Sequence, residues 1–191
     1  MSSGIGPDLL HVLAVILTGG AIKLADDEAD TVPDAAAGRP NLVLLAGGRG
    51  LTAYAGMALA LAGRLDAGWT LGLFAAAYAA GMFAHPRDRL PSGLAAWQES
   101  ALVLAGTAWL VRGVLAAALA VVLAVQWVDN EVDGRDGRPP GSWRARALGA
   151  GALAWAAALS PLMLGAALLT WGAFTWGLKG RRFRRGAPAW E

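Results

Sequence analysis

The 191-residue chain is 56% hydrophobic and 16% charged, with a formal net charge of +2 and a mean hydropathy of +0.46. An ordinary soluble domain is about 45–50% apolar and about 25% charged, so this excess exceeds what one soluble core can hide, and it excludes disorder as well. The small net charge removes the electrostatic footprint of a nucleic-acid reader, and the absence of cysteine removes disulfides, thiolate metal sites and cysteine nucleophiles.

Taken in chain order, the residues before the first apolar run, Met1–Asp8, contain no Lys or Arg, so that run reads as a retained span and not as a secretory signal. The apolar runs are Leu9–Leu24, Leu42–Leu61, Trp69–Phe83, Ala95–Val111, Val114–Val128, Ala147–Ser160 and Leu162–Leu178. As one helix, Ala95–Val128 would be about 50 Å long, against a hydrocarbon core of about 30 Å. Two spans joined near Arg112–Gly113 fit better. Ala147–Leu178 divides in the same way at Pro161, because proline disturbs a helix interior. The expectation is an all-α, polytopic transmembrane helical bundle of about seven spans, forming a single domain over residues 1–191. Its Gly- and Ala-rich spans suit close helix packing.

The positive-inside rule orients the bundle. A cytoplasmic tail over 179–191 carries Lys179, Arg181, Arg182, Arg184 and Arg185. Counting back through seven spans puts Arg135, Arg138, Arg144, Arg146, Arg87, Arg89, Arg39 and Lys23 on the same side, thirteen of the sixteen basic residues. The N-terminus is then outside and the C-terminus inside. Trp97, Trp127, Trp143 and Trp176 fall near the inner boundary, and Trp69 and Trp109 near the outer one, as an aromatic belt would place them. The expected location is a bacterial plasma membrane, with membrane lipids as partners and no nucleic acid.

Spans one and five both end in acidic residues. Asp26 and Asp30 are four apart and share a helix face, as do Asp129 and Asp133, with Asp136 three later. Stacked carboxylates at a helix C-terminus repel each other and face the negative end of the helix dipole. A bound cation removes that penalty. Magnesium suits the site, because it uses one or two carboxylates and takes further oxygens from water and phosphates. The bland alternative is a pair of solvated loop ends.

The repeated Asp-x-x-x-Asp at span ends four spans apart resembles the UbiA-type intramembrane prenyltransferases. In that family two aspartate-rich motifs at this offset hold magnesium and an isoprenoid diphosphate at the cytoplasmic mouth of a helical bundle. Asp26 and Asp30 match the aspartates of the first motif, while Ile22 stands where the family has asparagine. Arg39-Pro40 is similar to the Arg-Pro pair after that motif. Asp129, Asp133 and Asp136 resemble the second. The family has about nine spans, so this chain would be a distant, shortened member. The resemblance implies magnesium-dependent transfer of an isoprenoid group from a prenyl diphosphate, or handling of another lipid phosphate, to an acceptor that the sequence does not identify.

Among the arginines, Arg49 lies in Gly47-Gly48-Arg49-Gly50 within the second run. There it either snorkels to the near interface or meets a phosphate with its planar fork. Arg39, Arg87 and Arg138 are further diphosphate-binding candidates, and His11 reads as a structural hydrogen-bonding residue. Two other readings stay open. Asp133-Gly134 with Ala145-Arg146 is similar to part of the CDP-alcohol phosphotransferase signature, at a longer spacing. A non-catalytic membrane protein, either a scaffold or a cation-binding or transport protein, would also carry such clusters.

Overall fold

The computed structural model describes residues 6–47, 51–82, 85–134 and 143–179. Among them the chain is helical: α1 Pro7–Ala29, α2 Thr31–Ala37, α3 Leu42–Leu45, α4 Thr52–Leu65, α5 Ala67–Met82, α6 Ala96–Leu110, α7 Leu115–Gly134, α8 Trp143–Leu159 and α9 Pro161–Lys179. The two long apolar stretches divide where expected. α6 and α7 part around Arg112–Gly113, and α9 starts at Pro161, which as the first helical residue needs no backbone donor.

The second run, Leu42–Leu61, departs from the expected single span. α3 stops after one turn, Gly47 adopts a φ of 77°, and a new helix begins only at Thr52. The cause is local: positive φ costs glycine nothing, and consecutive glycines are poor helix formers. Arg49 lies in the interval between α3 and α4, outside the described residues. The expected loop 25–41 is also more ordered than a simple connection, since α1 continues to Ala29 and α2 follows it.

Among the described residues, Asp8–Ala29 and Leu115–Val132 are long and apolar enough to cross a membrane. A core helix of a soluble protein can pass that test, but such a helix is mostly buried. Here only 22% and 39% of the two windows are buried. Large apolar side chains on other helices are also open, including Trp109, Leu148, Leu169 and Trp176, each more than 70% exposed. An apolar surface this extensive is unusual for a soluble monomer and agrees with membrane association. α4, α5 and α6 run 14, 16 and 15 residues, short of the roughly 17–25 that a spanning helix needs. The count of seven spans and the orientation are therefore not fixed by helix length.

α1 is the central element, packed against α4, α5 and α9, while α7 packs on α5, α8 and α9. The core joins Val15 of α1, Trp69 and Leu73 of α5, Ala118 and Val121 of α7, Ala156 of α8 and Met163 of α9. Alanine recurs at these contacts because small side chains let helices approach closely. A Cβ on Gly72 would stand 3.1 Å from the Ala118 methyl group, so α5 and α7 meet closely there.

Candidate functional site

The end of α1 is built by four acidic side chains with different surroundings. Asp27 turns inward and is 2% exposed. Its Oδ1 pairs with Lys23 Nζ at 2.8 Å, and its Oδ2 accepts the Leu42 backbone N–H at 2.8 Å. Asn41, fully buried, caps α3 by accepting from the Val43 and Leu44 N–H groups. Its Nδ2 donates to the Asp27 carbonyl at 2.6 Å and to Asp34 Oδ2 at 3.0 Å. Glu28 accepts from Thr52 Oγ1 at 2.6 Å, which ties the start of α4 to the end of α1. Thr31 Oγ1 donates to the Asp27 and Glu28 carbonyls, two of the acceptors a helix end leaves open. Asp30 is exposed at the α1–α2 junction, where its N–H donates to the Asp26 carbonyl.

Asp26 faces a cavity of about 220 Å³ between α1, α5, α7 and α9. Asp129 of α7 lines the same cavity, and so do Lys23 and Gln126. The Trp171 indole Nε1–H of α9 donates to Asp129 Oδ1 at 2.8 Å. Beyond these groups the walls are mainly apolar: Val15 and Ile22 of α1, Leu73 of α5, Val121 and Val125 of α7, and Phe174 of α9. The site is thus a charged mouth over an apolar shaft. Ile22 carries the apolar wall up to the turn below Asp26, at the position where the resemblance would put asparagine.

Of the expected site residues, Asp26 and Asp129 line the same cavity. Asp30 and Arg39 do not line this cavity; Arg39 pairs with Asp34 at 3.8 Å. Arg87 is exposed in a loop held by hydrogen bonds from the Ala96 N–H to the Asp88 carbonyl and from the Trp97 N–H to the Pro86 carbonyl. Glu99 fastens that loop to α5 by accepting from Ser92 Oγ and the Tyr78 hydroxyl. Asp133 falls on the last turn of α7, and its side chain is outside the description. Arg49, Asp136 and Arg138 lie outside the described residues.

Sequence reasoning missed Lys23, Gln126 and Trp171. The first two had a readable signal: each lies three residues before a cavity aspartate, on the same helix face. Trp171 had none, because α9 is brought to α7 only by tertiary packing.

Among the described residues, no group of three or more His, Cys, Asp or Glu side chains is placed to hold a metal ion by itself. Magnesium makes a looser demand, one or two carboxylates with water and phosphate oxygens completing its shell, and Asp26 and Asp129 are the carboxylates that line the cavity. Comparison of the chain with protein-family models, curated proteins and solved structures finds no match.

Proposed function

We propose that the chain is a magnesium-dependent, UbiA-like prenyltransferase of the membrane, using the cavity between α1 and α7. The observation that carries this reading is the shared cavity itself, with Asp26 and Asp129 at its mouth and an apolar shaft beneath. That pairing suits an amphiphile whose head is a polyanion and whose tail is a hydrocarbon, as in an isoprenoid diphosphate. Solvated loop ends would have no reason to sit over such a shaft.

Asp26 and Asp129 would hold magnesium, with Asp30, Asp133 and Asp136 extending the two acidic ends. When bound, the metal supplies charge neutralisation to the departing diphosphate. Trp171 fixes the orientation of Asp129 through its indole N–H. Lys23 stands at the mouth, and Arg39, Arg49, Arg87 and Arg138 are the candidates for added hydrogen bonds to phosphate oxygens. The apolar walls hold the isoprenoid chain and keep water from the allylic carbon. In the transfer, the allylic C–O bond breaks with its electron pair going to diphosphate. The acceptor bonds to that carbon and gives up a proton. In this reading the bundle spans a plasma membrane about seven times, N-terminus outside and C-terminus inside, and the carboxylates open to the cytoplasm.

The test is binding of farnesyl diphosphate by the purified chain in detergent, with and without magnesium. Asp26→Asn and Asp129→Asn should each abolish the magnesium-dependent component. A wild-type chain that binds no prenyl diphosphate would exclude this reading and leave the two others, a non-catalytic membrane protein and a CDP-alcohol phosphotransferase-like enzyme.

A further inference from the structure

We infer that the shaft accepts a short isoprenoid chain and that Val15, Leu73 and Val121 form the floor that sets its length. This inference rests on the proposed use of the cavity and adds the class of donor it takes. From Val15 to Asp26, α1 rises about 16 Å at 1.5 Å per residue, and both residues line the cavity. At its base, Val15, Leu73 and Val121 are 1%, 4% and 1% exposed and belong to the packed core. Side chains in such a core leave little free space for a chain to thread between them.

The volume leads to the same conclusion. An apolar protein cavity of about 150 Å³ holds one benzene molecule. In proportion, about 220 Å³ has room for about nine carbon atoms. With its diphosphate at the level of Asp26 and Asp129, a donor of two isoprene units, ten carbons, already fills that volume. A donor of nine units cannot be enclosed. The wall offers an independent handle, because Ala77 of α5 lines the shaft beside Leu73 without belonging to the core cluster.

The experiment compares geranyl, farnesyl, geranylgeranyl and solanesyl diphosphate, with inorganic diphosphate as a probe of the mouth alone, on the full chain with magnesium. The expected result is that geranyl diphosphate binds at least about tenfold more tightly than solanesyl diphosphate, a difference of about 1.4 kcal/mol. Val15→Ala deepens the shaft and should move the preference toward a longer donor. Ala77→Leu narrows it and should weaken geranyl diphosphate while leaving inorganic diphosphate unchanged. Equal affinity for all lengths, with magnesium dependence retained, would overturn the length limit and leave the prenyl diphosphate site standing. A ranking unmoved by both variants would also overturn it. Failure to bind any of the prenyl diphosphates would remove the site reading on which the inference rests.

Discussion

Trp171 on α9 donates its indole N–H to Asp129 on α7 at 2.8 Å. The bond occupies one carboxylate oxygen and fixes how the other is presented to the cavity. Groups that orient a metal-binding carboxylate in this way are worth about 10–100-fold in metal affinity. Trp171→Phe keeps the aromatic bulk against the shaft and removes only the donor. The expected outcome is a loss of about tenfold or more in magnesium affinity, read by titrating magnesium against farnesyl diphosphate binding. Retained affinity would show that Asp129 needs no such support.

Asp26 and Asp27 are neighbours with opposite duties. Asp26 is exposed at the cavity mouth, whereas Asp27 is buried and joins Lys23 to the start of α3. Asp27→Ala leaves the Lys23 ammonium without its partner and the Leu42 N–H without its acceptor. Such losses cost about 2–3 kcal/mol for a partly buried pair. Asp26→Ala removes a carboxylate from a repulsive helix end and should leave stability unchanged or slightly raised. Thermal unfolding in detergent should therefore separate the two variants, with only Asp27→Ala lowering the midpoint. Equal midpoints would contradict the division of labour.

The same two residues show what the sequence could and could not reveal. That helices carry Asp26 and Asp129 was legible from the apolar runs before them, although Asp30 does not line the cavity and the Asp133 side chain is outside the description. The breaks at Arg112–Gly113 and Pro161 were legible too, since helix length and proline chemistry are local properties. The inward turn of Asp27 was not legible, because nothing in the chain announces that α3 will present the Leu42 N–H to it. The division of Leu42–Leu61 into α3 and α4 was written in Gly47-Gly48-Arg49-Gly50, but the apolar content of the run masked it. Hydropathy averages over a window, whereas a glycine with positive φ acts at one residue. Nor was the packing of Trp127 on Gly149 legible, a contact that depends on how α7 meets α8.

His11 and Asp66 form a second polar junction, involving the half of α1 remote from Asp26. The His11 Nδ1 and Asp66 Oδ2 atoms are hydrogen-bonded, as the structural role expected for His11 requires. Asp66 Oδ1 accepts the Trp69 N–H at 3.0 Å, so this one residue closes α4, caps α5 and anchors α1. Replacing a helix N-cap by alanine costs about 0.5–2 kcal/mol, and Asp66→Ala also deprives His11 of its partner. Asp66→Ala should lower the unfolding midpoint, and Asp66→Asn, which keeps an acceptor for Trp69, should lower it less. Magnesium-dependent binding should survive in folded Asp66→Asn, because Asp66 does not line the cavity. Lost binding with an unchanged midpoint would mean that this junction communicates with the mouth.

Trp127 lies two residues before Asp129, and its indole fills the notch that Gly149 leaves on α8. A Cβ at position 149 would overlap the indole ring. The Trp127 Nε1 atom is buried with no hydrogen-bond partner among the described residues, and an unpaired buried donor costs about 1–3 kcal/mol. Two opposite effects follow from one contact. Gly149→Ala must separate α7 from α8 or displace the ring, at a cost of about 1–3 kcal/mol for overpacking. Trp127→Phe keeps an aromatic ring in the notch and removes the unpaired donor, so its midpoint should be unchanged or higher despite the smaller side chain. Because α7 also carries Asp129, Gly149→Ala should weaken magnesium-dependent binding as well as stability, and Trp127→Phe should weaken neither. A marked drop in midpoint for Trp127→Phe would show that the indole N–H has a partner and that the notch is not its main support.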